Sequence, residues 1–233
     1  DTEGAQIRTL KVNKKIFFKK NQRVKIFNKK VLNSNKKISF YPNFKFSQIR
    51  LNSKIFVGFD DLKFLIIKKK TDHLVAKVIS SGYLDSNKGV HFTSKLSLPP
   101  LTVKDIKAVK IAKKFNIKYF AMSFVNNSND VKEIRKLIGN DFLISKIYTL
   151  NALKNLKNIS KSSAALLMDR GDLSRYISIE KIPIIQEDIS IFAKSKNKPL
   201  YVATNLLETM VKDNLPSRAE SHDIYSTLKQ GVS

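Results

Sequence analysis

Leu166-Leu-Met-Asp-Arg-Gly-Asp-Leu-Ser174 is the stretch of this chain that is most informative about its fold. The apolar run that leads into it, from Ala164 to Met168, stops abruptly, as a buried parallel strand does when it ends in a charged loop. In barrels of alternating strands and helices, the C-terminal ends of the strands carry the chemistry. Asp172 follows Gly171, which lets the backbone approach a ligand closely. An isolated match is also typical of a polar turn, so the neighbouring segments must decide.

Strand-like and helix-like segments alternate from Leu98-Pro-Pro100 onward, which is the pattern of βα units. Thr102, with Asp105 three residues later, forms a capping box that predicts a helix start. Ser217 and Glu220 form a second one. The predicted helices cover residues 102–115, 128–138, 151–160, 179–194 and 217–229, and the predicted strands cover 117–124, 142–147, 164–168 and 199–203. These units alone are compatible with an open doubly wound sheet.

Residues 11–96 have a different pattern, in which short alternating runs are separated by turn-forming residues. The runs cover residues 15–19, 23–27, 54–57, 62–67 and 74–79. Short alternating strands of this kind predict a small antiparallel β-barrel or sandwich. We therefore expect three parts, namely residues 1–10 as the end of a strand with its exit loop, 11–96 as a small β domain, and 97–233 as βα units.

The composition excludes several classes of protein. The chain has 233 residues, of which 42% are hydrophobic, and it contains no Cys. A chain of this length and composition can bury a core, and the lack of Cys excludes disulfides and thiolate metal sites. No apolar run approaches the roughly 18 residues of a membrane span, so we expect no membrane insertion and a cytoplasmic location.

The formal net charge of +25 is the most unusual property of the composition. A strongly basic chain can bind nucleic acid or another polyanion. However, Lys occurs in every segment and Arg, the better reader of phosphates and bases, is sparse. The sequence therefore favours a general excess of Lys over a specific nucleic-acid partner, and non-specific polyanion binding is the third functional alternative.

Four further stretches accompany the first one. They are Asp1-Thr-Glu-Gly-Ala-Gln-Ile-Arg8, Asn87-Lys-Gly-Val90, Ile144-Ser-Lys-Ile147, and Ala203-Thr-Asn-Leu-Leu-Glu208 followed by Pro216-Ser-Arg-Ala-Glu220. In this order and at these spacings they resemble pyruvate kinase over essentially the whole chain. The resemblance implies an α/β fold, a partial (β/α)8 TIM-type barrel with an inserted small antiparallel β-barrel domain. It also implies an internal segment, with the first and last barrel strands and the C-terminal domain outside it.

The resemblance assigns a catalytic role to Lys146, whose fixed cation would stabilise charge that develops during phosphoryl transfer. It assigns Asp172 to a divalent metal, Mg2+ or Mn2+, which prefers oxygen ligands. The family's second metal ligand is a Glu, and here that position is Tyr148. Asp169 stands where the family usually has a small apolar residue. Asp169 either substitutes as a metal ligand or repels an anionic substrate and marks a changed ligand preference.

The remaining site residues are also implied by the resemblance. Thr204 matches a catalytic Thr beside the reacting carbon. The backbone of Gly171 and Asp172 matches the groups that hold the substrate carboxylate. Arg8 and Lys88 match cations that contact the nucleotide phosphates.

Asp1 and Thr2 match part of a K+ site. In the inserted domain, the family's Asp-Asp-Gly turn is replaced by Asp60 and Asp61 without a following Gly.

The function implied by the resemblance is the last step of glycolysis, phosphoryl transfer from phosphoenolpyruvate to ADP giving pyruvate and ATP, with Mg2+ and K+ as cofactors. The full-length protein would be a homo-oligomer without a specific nucleic-acid partner. The alternative is a catalytically impaired barrel that binds a phosphorylated metabolite or regulates a partner. Tyr148 in place of Glu is the feature that separates these two functions.

Overall fold

The computed structural model describes residues 1–4, 6–58 and 62–233. The chain divides into two compact units, one made of Asp1–Ala5 with Pro100–Ser233 and the other of Gln6–Pro99. Asp60 and Asp61 lie outside the described residues. Among the described residues, no helix is long and apolar enough to cross a membrane.

The unit Gln6–Pro99 is built from nine described strands and a short 3-10 helix, Phe46–Gln48. The strands are β1 (Ile7–Thr9), β2 (Ile16–Phe18), β3 (Arg23–Phe27), β4 (Lys37–Tyr41), β5 (Lys54–Val57), β6 (Lys63–Lys69), β7 (His73–Ser80), β8 (Gly82–Leu84) and β9 (Gly89–Phe92). Seven of them close a barrel in the order β1-β4-β3-β7-β6-β5-β9, and β2 pairs with β8 in a separate two-stranded sheet.

Strict alternation of side chains explains why these segments form a barrel. In β3, Val24 and Ile26 are buried while Arg23 and Lys25 are exposed. A strand points successive side chains to opposite faces, so one apolar set fills the interior and one charged set faces water. The interior is a single apolar cluster that includes the fully buried Phe64.

Two details of the predicted β domain are wrong. The strand pair β3–β4 is parallel, with Ile26 beside Ile38, so the barrel is not wholly antiparallel. Residues Ile7–Thr9 pair with both β4 and β9 and close the barrel, so this part of the predicted segment 1–10 belongs to the small barrel. The pairing of β1 with β4 and β9 joins segments that are distant along the chain, and the parallel direction of β3 and β4 has no local signal in the sequence.

The other unit alternates strands and helices. Its elements are α1 (Val103–Lys114), β10 (Tyr119–Met122), α2 (Ser128–Ile138), β11 (Phe142–Ile147), α3 (Leu150–Lys154), α4 (Leu156–Lys161), β12 (Ala165–Asp169), α5 (Arg170–Leu173), α6 (Ile182–Ser195), β13 (Leu200–Ala203) and α7 (Arg218–Lys229), with 3-10 helices at Ile179–Lys181 and Glu208–Val211. The predicted helix 151–160 is two short helices that meet at Asn155. The capping boxes at Thr102 and Ser217 are both present, as predicted.

The four described strands of this unit form a parallel sheet in the order β10-β11-β12-β13. Ile147 is level with Met168, and Asp169 is level with Ala203. Since parallel strands end at the same edge, the residues that follow β11, β12 and β13 come together there. A complete (β/α)8 barrel around this sheet stays a prediction.

Candidate functional site

The C-terminal edge of the parallel sheet brings together Lys146 from β11, Asp169 from β12 and Thr204 directly after β13. Each strand is apolar up to this edge, because its faces are covered by helices, and polar residues begin where the strand ends. The structure therefore assembles three of the residues that the sequence singles out.

The Lys146 ammonium is largely enclosed, with 15% of the side chain exposed. It pairs with the carboxylate of Asp1 and lies 5.7 Å from the centroid of the Tyr148 ring. Asp1 also accepts a hydrogen bond from the Ser123 hydroxyl at 3.2 Å. The carboxylate of Asp1 is therefore the counterion that fixes the position of this cation.

Residues 1–4 are held against the end of β10 by a continuous set of hydrogen bonds. The Thr2 amide donates to the Ala121 carbonyl at 2.9 Å, and the Ser123 amide donates to the Thr2 hydroxyl at 3.0 Å. Gly4 has a φ of +72°, and a Cβ there would meet the Ser123 carbonyl oxygen at 2.6 Å. Only glycine fits both constraints, which explains the residue type at this position.

Asp105 anchors the same segment from the first turn of α1. Its buried carboxylate accepts hydrogen bonds from the amides of Glu3 at 2.7 Å and Gly4 at 3.3 Å. It also accepts from the amide and hydroxyl of Thr102 at 2.8 and 2.9 Å. One side chain thus caps the helix and places Asp1 beside Lys146.

Tyr148 is buried, with 4% of the residue exposed, and its ring packs edge-to-face on Phe124 at 4.8 Å. Burial raises the pKa of its phenol above 10.0, while hydrogen bonds to Lys146 and Ser123 act in the opposite direction. The Asp169 carboxylate raises this pKa further. The phenol is therefore neutral at pH 7 and does not supply the charge of a carboxylate.

The Asp169 carboxylate is bonded within the site. Its Oδ1 accepts a hydrogen bond from the Asp172 amide at 3.0 Å, which caps α5, and lies 3.0 Å from the Thr204 hydroxyl. The Gly171 amide donates to the Thr204 hydroxyl at 2.9 Å. The two amides that the resemblance assigns to a substrate carboxylate are therefore bonded to side chains of the chain itself.

Thr204 has a left-handed backbone, with a φ of +69°. A β-branched residue adopts this conformation only where its surroundings enforce it. Arg170 supplies the constraint, since its guanidinium donates to the carbonyls of Thr204 and Asn205 at 2.7–3.2 Å. The same guanidinium pairs with both carboxylate oxygens of Asp223 at 2.8 Å. Arg170 thus joins β12, the loop after β13 and α7.

Asp172 is mostly enclosed and its carboxylate lies 3.3 Å from the Arg175 guanidinium. The side chain of Tyr176 is close by, because Asp172 contributes to raising its pKa, although burial is the main cause. A cation bound by Asp172 would therefore share this carboxylate with Arg175.

The chemistry of the donor set fits a divalent cation. Mg2+ commonly binds one or two carboxylates and completes its shell with water and substrate oxygens. Asp169, at the end of β12, and Asp172, in the short helix α5 that follows directly, are two carboxylates close together along the chain. Among the described residues, no group of three or more Asp, Glu, His or Cys side chains is placed to hold a metal ion. The protein would thus contribute only part of the coordination shell.

The fit to K+ is poorer. Both carboxylate oxygens of Asp1 have protein partners, Lys146 and Ser123. The hydroxyl of Thr2 accepts the Ser123 amide. K+ binding by Asp1 and Thr2 would require the contact between Asp1 and Lys146 to open.

Arg8 and Lys88 lie together in the small barrel. Arg8 is level with Gly89 in the pair β1–β9, and its guanidinium donates to the Asn87 carbonyl at 3.3 Å. The Lys88 carbonyl accepts from the Thr9 amide at 2.8 Å. The two residues are therefore neighbours in the barrel, and their contact with nucleotide phosphates stays a prediction.

Sequence reasoning missed Ser123 and the ion pair of Arg170 with Asp223, and it identified Asp105 only as the capping residue of α1 and not as the acceptor for the amides of Glu3 and Gly4. Arg170 lies inside the informative stretch, so its charge was a usable signal. Asp223 lies 53 residues from Arg170, Asp105 lies 101 residues from Gly4, and Ser123 lies 122 residues from Asp1. Nothing in the sequence indicates these contacts.

The chain is similar to known proteins in both sequence and fold. A family model described as pyruvate kinase, barrel domain, matches residues 1–233. The pyruvate kinase of Methanocaldococcus jannaschii is 32% identical over 237 residues, covering 100% of this chain and 51% of the relative. That of Thermotoga maritima is 30% identical over 238 residues, with the same coverage.

A crystal structure of a pyruvate kinase from Cryptosporidium parvum has a TM-score of 0.84 and 29% identity, covering 100% of this chain and 50% of that chain. The chain spans about half the length of the relatives it matches. Since the family model extends over every residue, the chain belongs to the pyruvate kinase family.

Proposed function

We propose that this chain carries part of the catalytic centre of an enzyme that transfers the phosphoryl group of phosphoenolpyruvate to ADP. The bond between phosphorus and the enol oxygen breaks, a bond to the β-phosphate oxygen of ADP forms, and the enolate takes up a proton to give pyruvate. The observation that carries the proposal is the position of Lys146, an enclosed cation at the strand edge that also bears Thr204. Membership of the pyruvate kinase family supports it.

Each residue has a role that follows from its chemistry. The Lys146 ammonium would stabilise negative charge on the phosphoryl group and on the enolate oxygen, which grows in the transition state. The Thr204 hydroxyl would take part in delivering the proton. Arg8 and Lys88 would contact the nucleotide phosphates.

Mg2+ or Mn2+ and K+ are the cofactors that the family implies. When bound, a divalent cation would neutralise phosphoryl oxygens. Asp172 would hold it, and Asp169 would be a substitute for the carboxylate that Tyr148 does not provide. Asp1 and Thr2 would hold K+ only after Lys146 had moved.

The test is a coupled pyruvate assay on the full-length protein. Lys146→Gln removes the cation and keeps much of the side-chain length, so we expect turnover to fall by roughly 100-fold or more. Lys157→Gln is the matched control, because Lys157 is exposed on α4. Equal turnover in wild type and Lys146→Gln would refute the assignment.

A second candidate function is binding of a phosphorylated metabolite, or regulation of a partner, without turnover. It is favoured by the neutral buried Tyr148 and by the bonds of Asp169 to the Asp172 amide and Thr204. A full-length protein that binds phosphoenolpyruvate but forms no pyruvate with any divalent cation would select this function.

Partners and location follow the family only in part. We propose a homo-oligomer without a sequence-specific nucleic-acid target. We also propose a cytoplasmic location, although the relatives include plastidial pyruvate kinases of Arabidopsis thaliana.

A further inference from the structure

The positive charge of the chain is concentrated in the small barrel. Residues 6–99 contain 22 Lys and Arg against four Asp and no Glu, a formal net charge of +18. The remaining residues contain 22 Lys and Arg against 15 Asp and Glu, a net charge of +7. Lys occurs in both units, and the difference in net charge comes mainly from the scarcity of acids in residues 6–99.

Like charges face each other on neighbouring strands of this barrel. Arg23 of β3 is opposite Lys77 of β7, and Lys25 of β3 is level with Lys37 of β4. Within residues 6–58 and 62–99, none of these four cations has an ion pair with a carboxylate. Like charges in direct cross-strand register destabilise a sheet, so this arrangement has an energetic cost in the free protein.

An exposed aromatic pair lies on the neighbouring two-stranded sheet. Phe17 of β2 is opposite Tyr83 of β8, and their ring centroids are 5.1 Å apart. The two residues are 50% and 52% exposed, which leaves ring faces accessible.

The aromatic pair and the cations share one outer face. Phe17 and Arg23 belong to the consecutive strands β2 and β3, which are joined through a turn at residues 20 and 21, and Tyr83 and Lys77 belong to the strands β8 and β7 that pair with them. The Lys20 amide donates to the Ser81 hydroxyl between the two pairings at 2.9 Å. The neighbouring side chains Phe18, Val24, Val78 and Leu84 are all buried in the same apolar cluster. Within a strand the side chain next to a buried one points to the opposite face, so the aromatic pair and the cations lie on the outer side of this cluster.

We propose that this face, formed by Phe17, Tyr83, Arg23, Lys77, Lys25 and Lys37, binds single-stranded nucleic acid without sequence preference. A track of cations beside exposed aromatic rings supports such binding, because the cations follow the phosphates and each base offers a π-face for stacking. Binding would also offset the repulsion between the facing cations. The inference uses none of the residues assigned to phosphoryl transfer, neither those of the other unit nor Arg8 and Lys88 of the small barrel.

The exposed aromatic pair favours single-stranded nucleic acid over other polyanions as the ligand. Duplex DNA and polyphosphate would use the cations but have no unstacked base for the rings. An anionic membrane would contact both groups, so vesicles are included in the test as a competitor.

The experiment measures fluorescence anisotropy of a labelled oligothymidylate of about 20 nucleotides, longer than the site of one small barrel, with the full-length protein. The charge variant is Arg23→Gln/Lys25→Gln/Lys37→Gln. We expect the slope of log affinity against log salt concentration to become less steep by about 0.7 for each phosphate that the variant no longer neutralises. Because repulsion is relieved, the variant should fold at least as well as the wild type, as checked by circular dichroism and urea unfolding.

The aromatic variant is Phe17→Ile/Tyr83→Ile, which places β-branched residues at both strand positions. We expect affinity to fall roughly tenfold or more, since stacking contributes about 1–3 kcal/mol per base, with an unchanged salt dependence.

The control variants remove the same chemistry from the other unit. Lys107→Gln/Lys110→Gln/Lys114→Gln removes three exposed cations of α1, and Tyr119→Ile removes an exposed ring that pairs with Phe142 at 5.3 Å. Wild-type affinity in both controls supports the proposal. The proposal is overturned if the α1 variant loses as much affinity as the charge variant, or if the aromatic variant keeps full affinity. It is also overturned if phosphatidylserine vesicles displace the oligonucleotide at a lower phosphate concentration than unlabelled oligothymidylate does.

Discussion

At the scale of single residues, we expect Asp169 to influence which ligand the site accepts. Its carboxylate bonds to the Asp172 amide and lies within hydrogen-bond distance of the Thr204 hydroxyl, two of the three groups that the family resemblance assigns to the substrate. A carboxylate in this position resembles a bound anion that the chain itself supplies.

Asp169→Ala should therefore tighten the binding of phosphoenolpyruvate in the full-length protein. Removing one like charge and releasing an amide donor is expected to improve the dissociation constant roughly tenfold, equivalent to about 1.4 kcal/mol. Calorimetry without a divalent cation measures this directly, with the exposed Asp188→Ala of α6 as control. An unchanged dissociation constant would show that Asp169 does not compete with the substrate.

The affinity for a divalent cation should respond in the opposite direction. Asp169→Ala removes one of two nearby carboxylates, so we expect Mn2+ to bind roughly tenfold more weakly, whereas Tyr148→Glu should strengthen binding because it adds a charged oxygen ligand. Mn2+ titration followed by electron paramagnetic resonance distinguishes the two variants. If Asp169→Ala leaves Mn2+ affinity unchanged, Asp169 is not a metal ligand.

At the scale of elements, the N-terminal segment and α1 depend on one side chain. Asp105→Ala would leave four buried or partly buried donors without their acceptor. We expect the free energy of unfolding to fall by about 3 kcal/mol, as for a buried carboxylate with several hydrogen bonds. Urea denaturation of Asp105→Ala beside Asp188→Ala measures it, and a loss below about 0.5 kcal/mol would contradict this account.

The start of α7 should respond to pH. Glu220 accepts hydrogen bonds from the amides and hydroxyls of Thr209 and Ser217, and these bonds lower its pKa from 4.5 to about 2. A carboxyl whose pKa is lower in the folded state stabilises that state above the unfolded pKa, and the contribution is lost as pH falls from about 4.5 to about 2.

Glu220→Gln should thus be less stable than wild type at pH 7, and the difference in urea midpoint should shrink through this pH window. A difference that stays constant from pH 7 to pH 2.5 would show that the charge of Glu220 is not the cause.

At the scale of the whole molecule, the described part of the parallel sheet ends in two outer strands, β10 and β13. Among the described residues β10 and β13 each have one strand neighbour, and large apolar side chains such as Phe115 and Val211 are exposed. Unpaired strand edges and apolar patches usually pack against further elements.

The 233-residue chain by itself should therefore be nearly inactive. In a coupled pyruvate assay we expect turnover far below about 10 per second, the median for enzymes. The full-length protein serves as the comparison. Turnover by the isolated chain at or above this value would show that the described units suffice.

The sequence by itself determined the identity and order of the elements in the βα part. Strand Phe142–Ile147 and helix Ser128–Ile138 agree with their predicted bounds, because apolar periodicity and capping residues are local signals. The resemblance to the family indicated Lys146, Asp169 and Thr204 as candidates, because the motifs that carry it include these positions. Local signals did not find β4, β8 or β9, and they described residues 1–10 only as the end of a strand with its exit loop, whereas Ile7–Thr9 pairs with both β4 and β9.

Only the tertiary structure decided how these residues act on one another. It placed Asp1 against Lys146 across 145 residues, and Asp169 against Thr204 across 35. It also gathered scattered cations onto one face of the small barrel by setting Arg23 opposite Lys77. Such contacts depend on strand register and on the closure of a sheet, which are properties of the folded chain and have no local sequence signal.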